Sequence, residues 1–405
     1  MKPALEGVKV LDFTWVVVGP LATEILAQYG AEVIRIESMQ RMDQSRAAPP
    51  FKDQMALPDT SGLFAMYNAN KQSLSVNLKD PKGIDVAKRL IGWADIMVDN
   101  FRPGQMARWG LDYENARQIN PQIIAISSSA LGQTGPHAQR PGYGQLLGSL
   151  CGFNFITGWP DREPIELYAA YVDFVAGPFI AATAVAALDY RQRTGQGVFV
   201  DLAQNEAALH FMTPLILDYS ANKRVMQRVG NRCSYAAPHG AYRCRGEDRW
   251  CVIAVYTDTE WEDFCNVVGN PQLVQDPKFA TLLDRKRNED ELDSLIQIWT
   301  SNFAAEEVEM KLQSVGIEAL LVKNPQDSID DLQFEHREHF VWHNHPVIGR
   351  YFYCQPGFRL NKTPSQNRSP SPALGQDTES ICREGLGMSD KEFIELADKV
   401  FFTDV

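Results

Sequence analysis

The sequence predicts an α/β protein with a parallel-sheet large domain and a second, smaller α/β domain, and three observations carry the prediction. At 405 residues the chain exceeds the size at which one hydrophobic core keeps growing, so two domains are expected. Short apolar runs with strand character alternate with helical patterns through the first half, as in a parallel sheet covered by helices. After about residue 205 that alternation gives way to a different succession of elements.

The elements follow in order. Val8 to Phe13 reads as a strand, Gly19-Pro20 as a turn, Leu21 to Tyr29 as a helix with an apolar face, and Val33 to Ile36 as the next strand. Together they make a βαβ unit. Asp80-Pro81 is a helix start, a cap oxygen followed by a preset φ, and Ile84, Ala87, Leu90, Ile91 and Ala94 form its apolar stripe. Strands are predicted at Ile96 to Val98 and at Ile123 to Ile126, the latter running into Ser127-Ser128-Ser129. A helix from Phe174 to about Arg191 leads through Gly195 and Gly197 into a strand at Val198 to Leu202. This is a Rossmann-like large domain over 1–205, completed by 350–405. Residues 206–225, a long apolar-aromatic helix candidate, are taken as a linker. The small domain is placed at 226–325, with strands near Pro238 to Tyr242 and Trp250 to Val255 and helices at Glu291 to Phe303 and Ala305 to Val315. Residues 326–349, where proline, histidine and asparagine accumulate, read as an irregular connector, and a last helix is expected at Asp390 to Lys399.

A net charge of −12 and a pI near 5.1 argue against a nucleic-acid binder, which shows a basic face. An anionic small ligand would need local basic residues. The seven cysteines are scattered without a CxxC pair, and no leader pattern precedes Leu5, so a reducing cytoplasm is expected. The longest apolar stretch, Phe174 to Leu188, is interrupted by Gly177, Pro178 and Thr183 and falls short of the roughly 20 residues of a membrane span.

Glu37, at the end of the second strand, invites a dinucleotide reading in which it would hold a ribose. The turn Trp15-Val16-Val17-Val18-Gly19-Pro20 has one glycine where that fingerprint needs three, which defeats it. Glu37 is then an exposed strand end or an ion-pair partner. His336, His339, His343 and His345 crowd one segment, but their spacing puts no two imidazoles on one helical face, and no metal site is expected. No GxSxG elbow and no cysteine in an electropositive setting is present. Asp173 remains: it precedes an Ala-rich helix, where an aspartate is either an N-cap or, if desolvated, a nucleophile.

Several blocks occur in one order: LEGVKVLDFTWVVVGPLATEILAQYGAEVIRIES, Asp43 to Arg46, NANKQSLSVNLKDPKG, DNFRPGQMARWGLDY, GQTGP at Gly132 to Pro136, PGYGQLLGSLCGF, GNR at Gly230 to Arg232, APHGAYRC ending at Cys244, and PALGQDT at Pro372 to Thr378. With these the chain resembles the class III CoA-transferase family over nearly its full length. The resemblance implies that Asp173 is the covalent nucleophile, exchanging coenzyme A between an acyl-CoA and a free carboxylic acid without a metal. It implies that Arg46, Lys71 and Arg102 bind the phosphates of CoA. It further implies a dimer of interlocked chains, either identical or two related ones.

Departures from the family pattern bear on the substrate. Val17 stands where the formyl-transferring members have Gln, and Tyr143-Gly144 and Gly148-Ser149 replace Tyr-Asp and Gln-Ala pairs. Ala254-Val255-Tyr256-Thr257 occupies the place of their glycine-rich loop. The opening LDFTWVVVGP with IESMQRMDQSR is most similar to the branch that includes succinyl-CoA:benzylsuccinate CoA-transferases. Val16, Val17 and Val18 would then line the pocket, and Gly144, Gly148 and Ser149 would leave room for an aromatic or branched acyl group; buried core is the alternative for those valines. Two other functions stay open. The family's 2-methylacyl-CoA racemases need a His and Asp pair, and Tyr143 stands in the histidine's place. A non-catalytic subunit of a heteromeric transferase is the other.

Overall fold

In the computed structural model, which describes residues 2–402, the strands β1 Lys9–Asp12, β2 Glu32–Glu37, β3 Lys71–Ser75, β4 Ile96–Asp99, β5 Ile124–Ser129 and β6 Val198–Ala203 form one sheet. Its order is β3-β2-β1-β4-β5-β6, and every pairing is parallel. The direction of succession reverses between β1 and β4, so the loops leaving those two strands diverge and open a crevice at their C-terminal ends.

Each face of the sheet has its own core. On one, Leu11, Ile34, Leu74 and Met97 meet Val86, Leu90 and Ile91 of the Pro81–Trp93 helix. That helix starts where the sequence placed it, with Asp80 Oδ1 accepting from Lys82 N at 2.8 Å. The C-terminal tail returns to this face: Ile381, Phe393 and Phe401 join the cluster, and Asp377 N donates to Ser73 O at 3.0 Å. On the other face Val10, Val33, Val98 and Ile126 pack against Leu26 of the Val18–Gln28 helix and Ala176, Ile180 and Ala184 of the Tyr171–Thr194 helix. Complete burial of side chains such as Leu11 and Leu90 contributes about 1.5–3 kcal/mol each. The Tyr171–Thr194 helix has 24 residues and is long and apolar enough to cross a membrane by length and composition. It outruns the apolar stretch read from sequence, yet its alanine face belongs to this core.

A second unit consists of Phe155–Ile165 with Met226–Leu332. Here β7 His239–Arg243, β8 Trp250–Ala254 and β9 Glu318–Leu321 make an antiparallel sheet. Its core gathers Trp261, Phe264, Leu292, Ile296, Val308 and Leu312. The segment 155–165 was not assigned to this unit from sequence. It is held there by Gly230 N donating to Gly158 O at 2.9 Å and by Trp159, whose ring lies so close to Gly230 that a Cβ there would sit 2.4 Å from it.

Two linker assignments need correction. Residues 206–225 lie largely in the helix Gln204–Asn222, whose Ala207 is part of the sheet core. Residues 326–349 are not irregular. Asn324 and Asp327 cap a helix at Pro325–Ile329 reciprocally, at 3.0 and 2.9 Å, a second helix spans Leu332–His336, and β10 Phe340–His345 pairs with β11 Gly349–Cys354. Two of the four histidines serve this hairpin: His345 Nδ1 accepts from Val347 N and Ile348 N in the turn, and His343 Nε2 meets Asn367 O at 2.8 Å.

Candidate active site

The crevice at the switch point is a cleft of about 540 Å³, within the range of small-molecule sites. Every strand of the large sheet delivers residues to it from its C-terminal end. Trp15, Val16 and Val18 come after β1, Arg41 and Gln44 after β2, Lys79 after β3, and Asn100, Phe101, Arg102 and Arg108 after β4. Ser129 ends β5; Arg140, Tyr143, Gly144 and Asp173 come from between β5 and β6, and Gln204 follows β6.

A buried charge network shapes the floor. Asp12, at the end of β1, accepts from Thr14 Oγ1 at 2.5 Å, Thr23 Oγ1 at 2.6 Å and Lys71 Nζ at 3.0 Å. Lys71 spends its other donors on Pro20 O and Asn68 Oδ1, at 3.0 and 2.9 Å. Arg46 forks onto Glu37 at 2.8 and 2.7 Å, reaches Asp59 at 2.6 Å and stacks 3.5 Å from the Phe64 ring centroid. Arg35 pairs with Asp43, whose two oxygens accept from Val16 N at 3.0 and 3.1 Å.

This network corrects the assignment of CoA phosphates to Arg46 and Lys71. Both are 96% or more buried and outside the cleft lining, and to release either for a phosphate would strand a buried carboxylate. Glu37 is likewise buried, an ion-pair partner rather than an exposed strand end. Instead the network fixes the loop after β1. Val16 has φ +69°, an unfavourable left-handed conformation for a β-branched residue. Asp43 holds its N–H, and Asn100 clamps Trp15 by accepting from its N–H and donating to its carbonyl, both at 2.8 Å. Val16 and Val18 consequently line the cleft while Val17, 4% exposed, does not.

Asp173 lies in the first turn of the Tyr171–Thr194 helix but does not cap it. The N-cap is Ala170, and Asp173 N donates to Ala170 O at 2.9 Å. Its side chain faces the cleft, and no cation is paired with it among the described residues. Burial pushes its carboxyl up to about 7 by desolvating the charged form.

The two glycines expected to make room for an acyl group do something else. A Cβ at Gly144 would stand 2.4 Å from Asp173 Oδ1 and 2.6 Å from Ala170 Cβ, so the missing side chain admits the carboxylate itself. At Gly148 the corresponding space is closed by Asn154 Oδ1 at 3.1 Å, and Gly148 does not line the cleft. Gly144→Ala is therefore expected to displace the Asp173 carboxylate and lower kcat by about 100-fold, the typical cost of an ångström of misplacement. Steady-state kinetics check this, and an unaltered kcat would remove Gly144 from the site's design. Tyr143, 59% exposed, donates to Gln44 Oε1 at 3.2 Å.

The structure thus brings together Asp173, Arg102, Val16, Val18, Tyr143 and Gly144. It adds cations that sequence reasoning missed: Arg41, Lys79, Arg108 and Arg140 share the cleft with Arg102, and none makes an ion pair among the described residues. Arg41 lies 5.3 Å over the Trp15 ring. Of these, Arg41 follows the predicted strand that ends at Ile36 within a few residues, a signal available from the rule that ligands bind at the carboxyl ends of parallel strands. Lys79 follows β3, a strand not expected from sequence, and Arg108 and Arg140 lie farther along the chain from their strands. An aromatic wall completes the cleft, Phe101 standing edge-on to Trp15 and Trp109 with centroids 5.6 and 5.4 Å away.

A family model described as CoA-transferase family III matches residues 5–378. The succinyl-CoA:D-citramalate CoA-transferase of Chloroflexus aurantiacus is 32% identical over 395 residues, 98% of this chain and 97% of that protein. The succinyl-CoA:glutarate CoA-transferase of Mus musculus is 33% identical over 391 residues, 95% of this chain and 87% of that protein. The crystal structure of a CAIB/BAIF family protein from Brucella suis superposes with a TM-score of 0.88 at 28% identity, covering 95% of this chain and all of that one (100%).

Proposed function

We propose, for a chain that belongs to CoA-transferase family III, that Asp173 is the nucleophile through which coenzyme A passes from one carboxylic acid to another. The observation that carries this is a buried carboxylate, paired with no cation among the described residues, facing a cleft whose other charged residues are mostly cations. A desolvated, unpaired carboxylate is the more reactive nucleophile, and the cations suit a polyanionic thioester.

The steps balance without ATP or metal. An Asp173 oxygen attacks the thioester carbon and the CoA thiolate leaves, giving a mixed anhydride. The thiolate attacks the aspartyl carbon, releasing the donor acid and leaving an aspartyl-CoA thioester. The acceptor carboxylate then displaces the thiolate to form a second anhydride, and the thiolate attacks the acceptor's acyl carbon and frees Asp173. One negative charge is carried throughout, and each bond broken is replaced by one of similar group-transfer potential. The racemase reading draws no support from the cleft, which among the described residues has no histidine in its lining to act as the second base.

Arg102, with Arg41, Lys79 and Arg108, is assigned to the phosphates of CoA. Arg102→Ala is expected to raise KM about tenfold for both CoA thioesters, the worth of one charge-assisted hydrogen bond, with little change for the acids. A change confined to the free acid would refute the assignment.

Succinyl-CoA is proposed as donor and a four- or five-carbon dicarboxylate, plain or alkyl- or aryl-substituted, as acceptor. The names of the two relatives support the donor and the carboxylate class. For an aryl group such as that of benzylsuccinate the support is now Val16, Val18 and the aromatic wall, because Gly144 and Gly148 have no space to offer. The test is to offer succinyl-CoA with citramalate, glutarate, benzylsuccinate, formate and oxalate and to detect new thioesters by mass spectrometry. Faster use of formate or oxalate would overturn the substrate class and leave the transferase standing. Two chains, identical or related, are proposed to interlock. Exposed Phe211, Ile216, Leu217 and Tyr219 on the Gln204–Asn222 helix support association, and a fully active monomer on sizing would contradict it.

A further inference from the structure

β5 ends in three serines with three different fates. Ser127 Oγ donates to Asp99 Oδ2 at 2.5 Å. The hydroxyls of Ser128 and Ser129 have no partner among the described residues, although the two residues are 0% and 6% exposed. A buried hydroxyl without a hydrogen bond is destabilising and calls for an explanation. Ser128 lies outside the cleft lining, whereas Ser129 is part of it.

Gln204 is its neighbour across the sheet. Ser129 pairs in register with Ala203 at the end of β6, and Gln204 is the next residue, 7% exposed and part of the cleft lining. Its carboxamide makes no hydrogen bond among the described residues. The two are tied to the nucleophile's surroundings through Ala130. Ala130 O accepts from Asn205 N at 3.1 Å, and Ala130 Cβ lies 3.7 Å from where a Cβ on Gly142 would stand. Two residues on, Gly144 touches Asp173.

Resting on Asp173 as the nucleophile, we infer that the Ser129 hydroxyl and the Gln204 carboxamide are the donors that receive the oxygen of the acyl carbon under attack. When an Asp173 oxygen bonds to the thioester carbon, the carbonyl electron pair moves onto its oxygen, and it returns to re-form the double bond as the CoA thiolate leaves. Donors aimed beforehand at that oxygen stabilise the transition state more than the substrate. Their neutrality matters. A cation in this position would pair with Asp173 and blunt its attack, whereas a hydroxyl and an amide answer charge only as it develops. The same pair serves each later step, since every one passes through an oxyanion at a carbon bonded to Asp173 or to sulfur.

The experiment is single-turnover acylation of the full-length protein by succinyl-CoA, followed by intact-protein mass spectrometry of the adduct on Asp173. Ser129→Ala and Gln204→Ala are each expected to slow adduct formation about 100-fold, with KM for succinyl-CoA changed less than twofold. Ser128→Ala, which removes an equally partnerless hydroxyl from the same strand, is expected to react at the wild-type rate. If either Ser129→Ala or Gln204→Ala forms adduct at the wild-type rate, or if Ser128→Ala is slowed as much as Ser129→Ala, the inference is overturned while Asp173 keeps its role. If wild-type protein forms no adduct, the role of Asp173 falls first and this inference with it.

Discussion

Asp173→Asn is expected to lower turnover by about 10⁴-fold, in line with removal of a covalent nucleophile, and to leave the fold intact. Asparagine has the shape of aspartate, so the close fit against Gly144 and Ala170 survives, but its amide oxygen does not displace a thiolate. Hydroxylamine is expected to inactivate wild-type protein incubated with acyl-CoA, by attacking the aspartyl carbon of the thioester or anhydride, expelling the thiolate or the donor carboxylate and leaving Asp173 as a hydroxamate, and to spare the variant. An unchanged rate in Asp173→Asn would end the proposal. The pH dependence has a definite sign. With the carboxyl raised to about 7 by burial, the neutral acid predominates below that pH and only the carboxylate attacks. The acylation rate is therefore expected to be level above pH 8 and to fall tenfold per unit well below 7. Stability runs the other way. Since the folded pKa lies above the ordinary value of 3.8, the site's contribution to stability is full below about pH 4 and lost as pH rises through 7. Asp173→Asn, neutral throughout, is expected to melt higher than wild type at pH 8, and thermal denaturation at pH 5 and pH 8 measures the difference.

Lys71→Met is expected to destabilise the protein by about 3–5 kcal/mol, the usual effect of removing one partner from a buried ion pair. Burial alone would raise the Asp12 carboxyl, but Lys71 and Arg35 outweigh it and hold the group below its ordinary range. Without Lys71 the network keeps a buried negative charge that Arg35, 3.9 Å away, answers only in part. Arg46→Met is expected to act in the same way through Glu37. There too burial is outweighed, by Arg46 and then Arg35, and the carboxyl is held at about 2. A depressed carboxylate contributes stability above its unfolded pKa of 4.5 that is lost as pH falls toward 2, so the loss in Arg46→Met is expected to be large at pH 7 and to shrink in acid. Denaturant unfolding gives the stability, and KM for acyl-CoA in the folded fraction is expected to stay within about twofold of wild type, since neither side chain lines the cleft. Unchanged stability with a weakened KM would return both residues to the phosphates.

Local pattern determined seven of the eleven strands among the described residues and several of the longer helices, and together with the family resemblance it singled out Asp173. The alternation of apolar runs, the Asp80-Pro81 helix start and the aspartate before an Ala-rich helix are properties of a few adjacent residues, and the structure realises them within a residue or two at most ends. Reading Asp173 as an N-cap fails for an equally local reason: the helix begins at Tyr171, ahead of the Ala-rich stretch that signalled it. The roles of the basic residues and glycines were decided only by tertiary structure. A lysine is a ligand or a strut according to what lies opposite, and Lys71 meets a carboxylate 59 positions away, whereas Arg102 and Arg108 follow a strand that opens onto the cleft. A glycine announces that a side chain is missing but not what enters the space, and at position 144 the occupant is Asp173 itself. Which strand ends converge on one crevice follows from the order β3-β2-β1-β4-β5-β6. That order depends on how the covering helices bury both faces at once, a condition on the whole sheet that no single segment of the chain expresses.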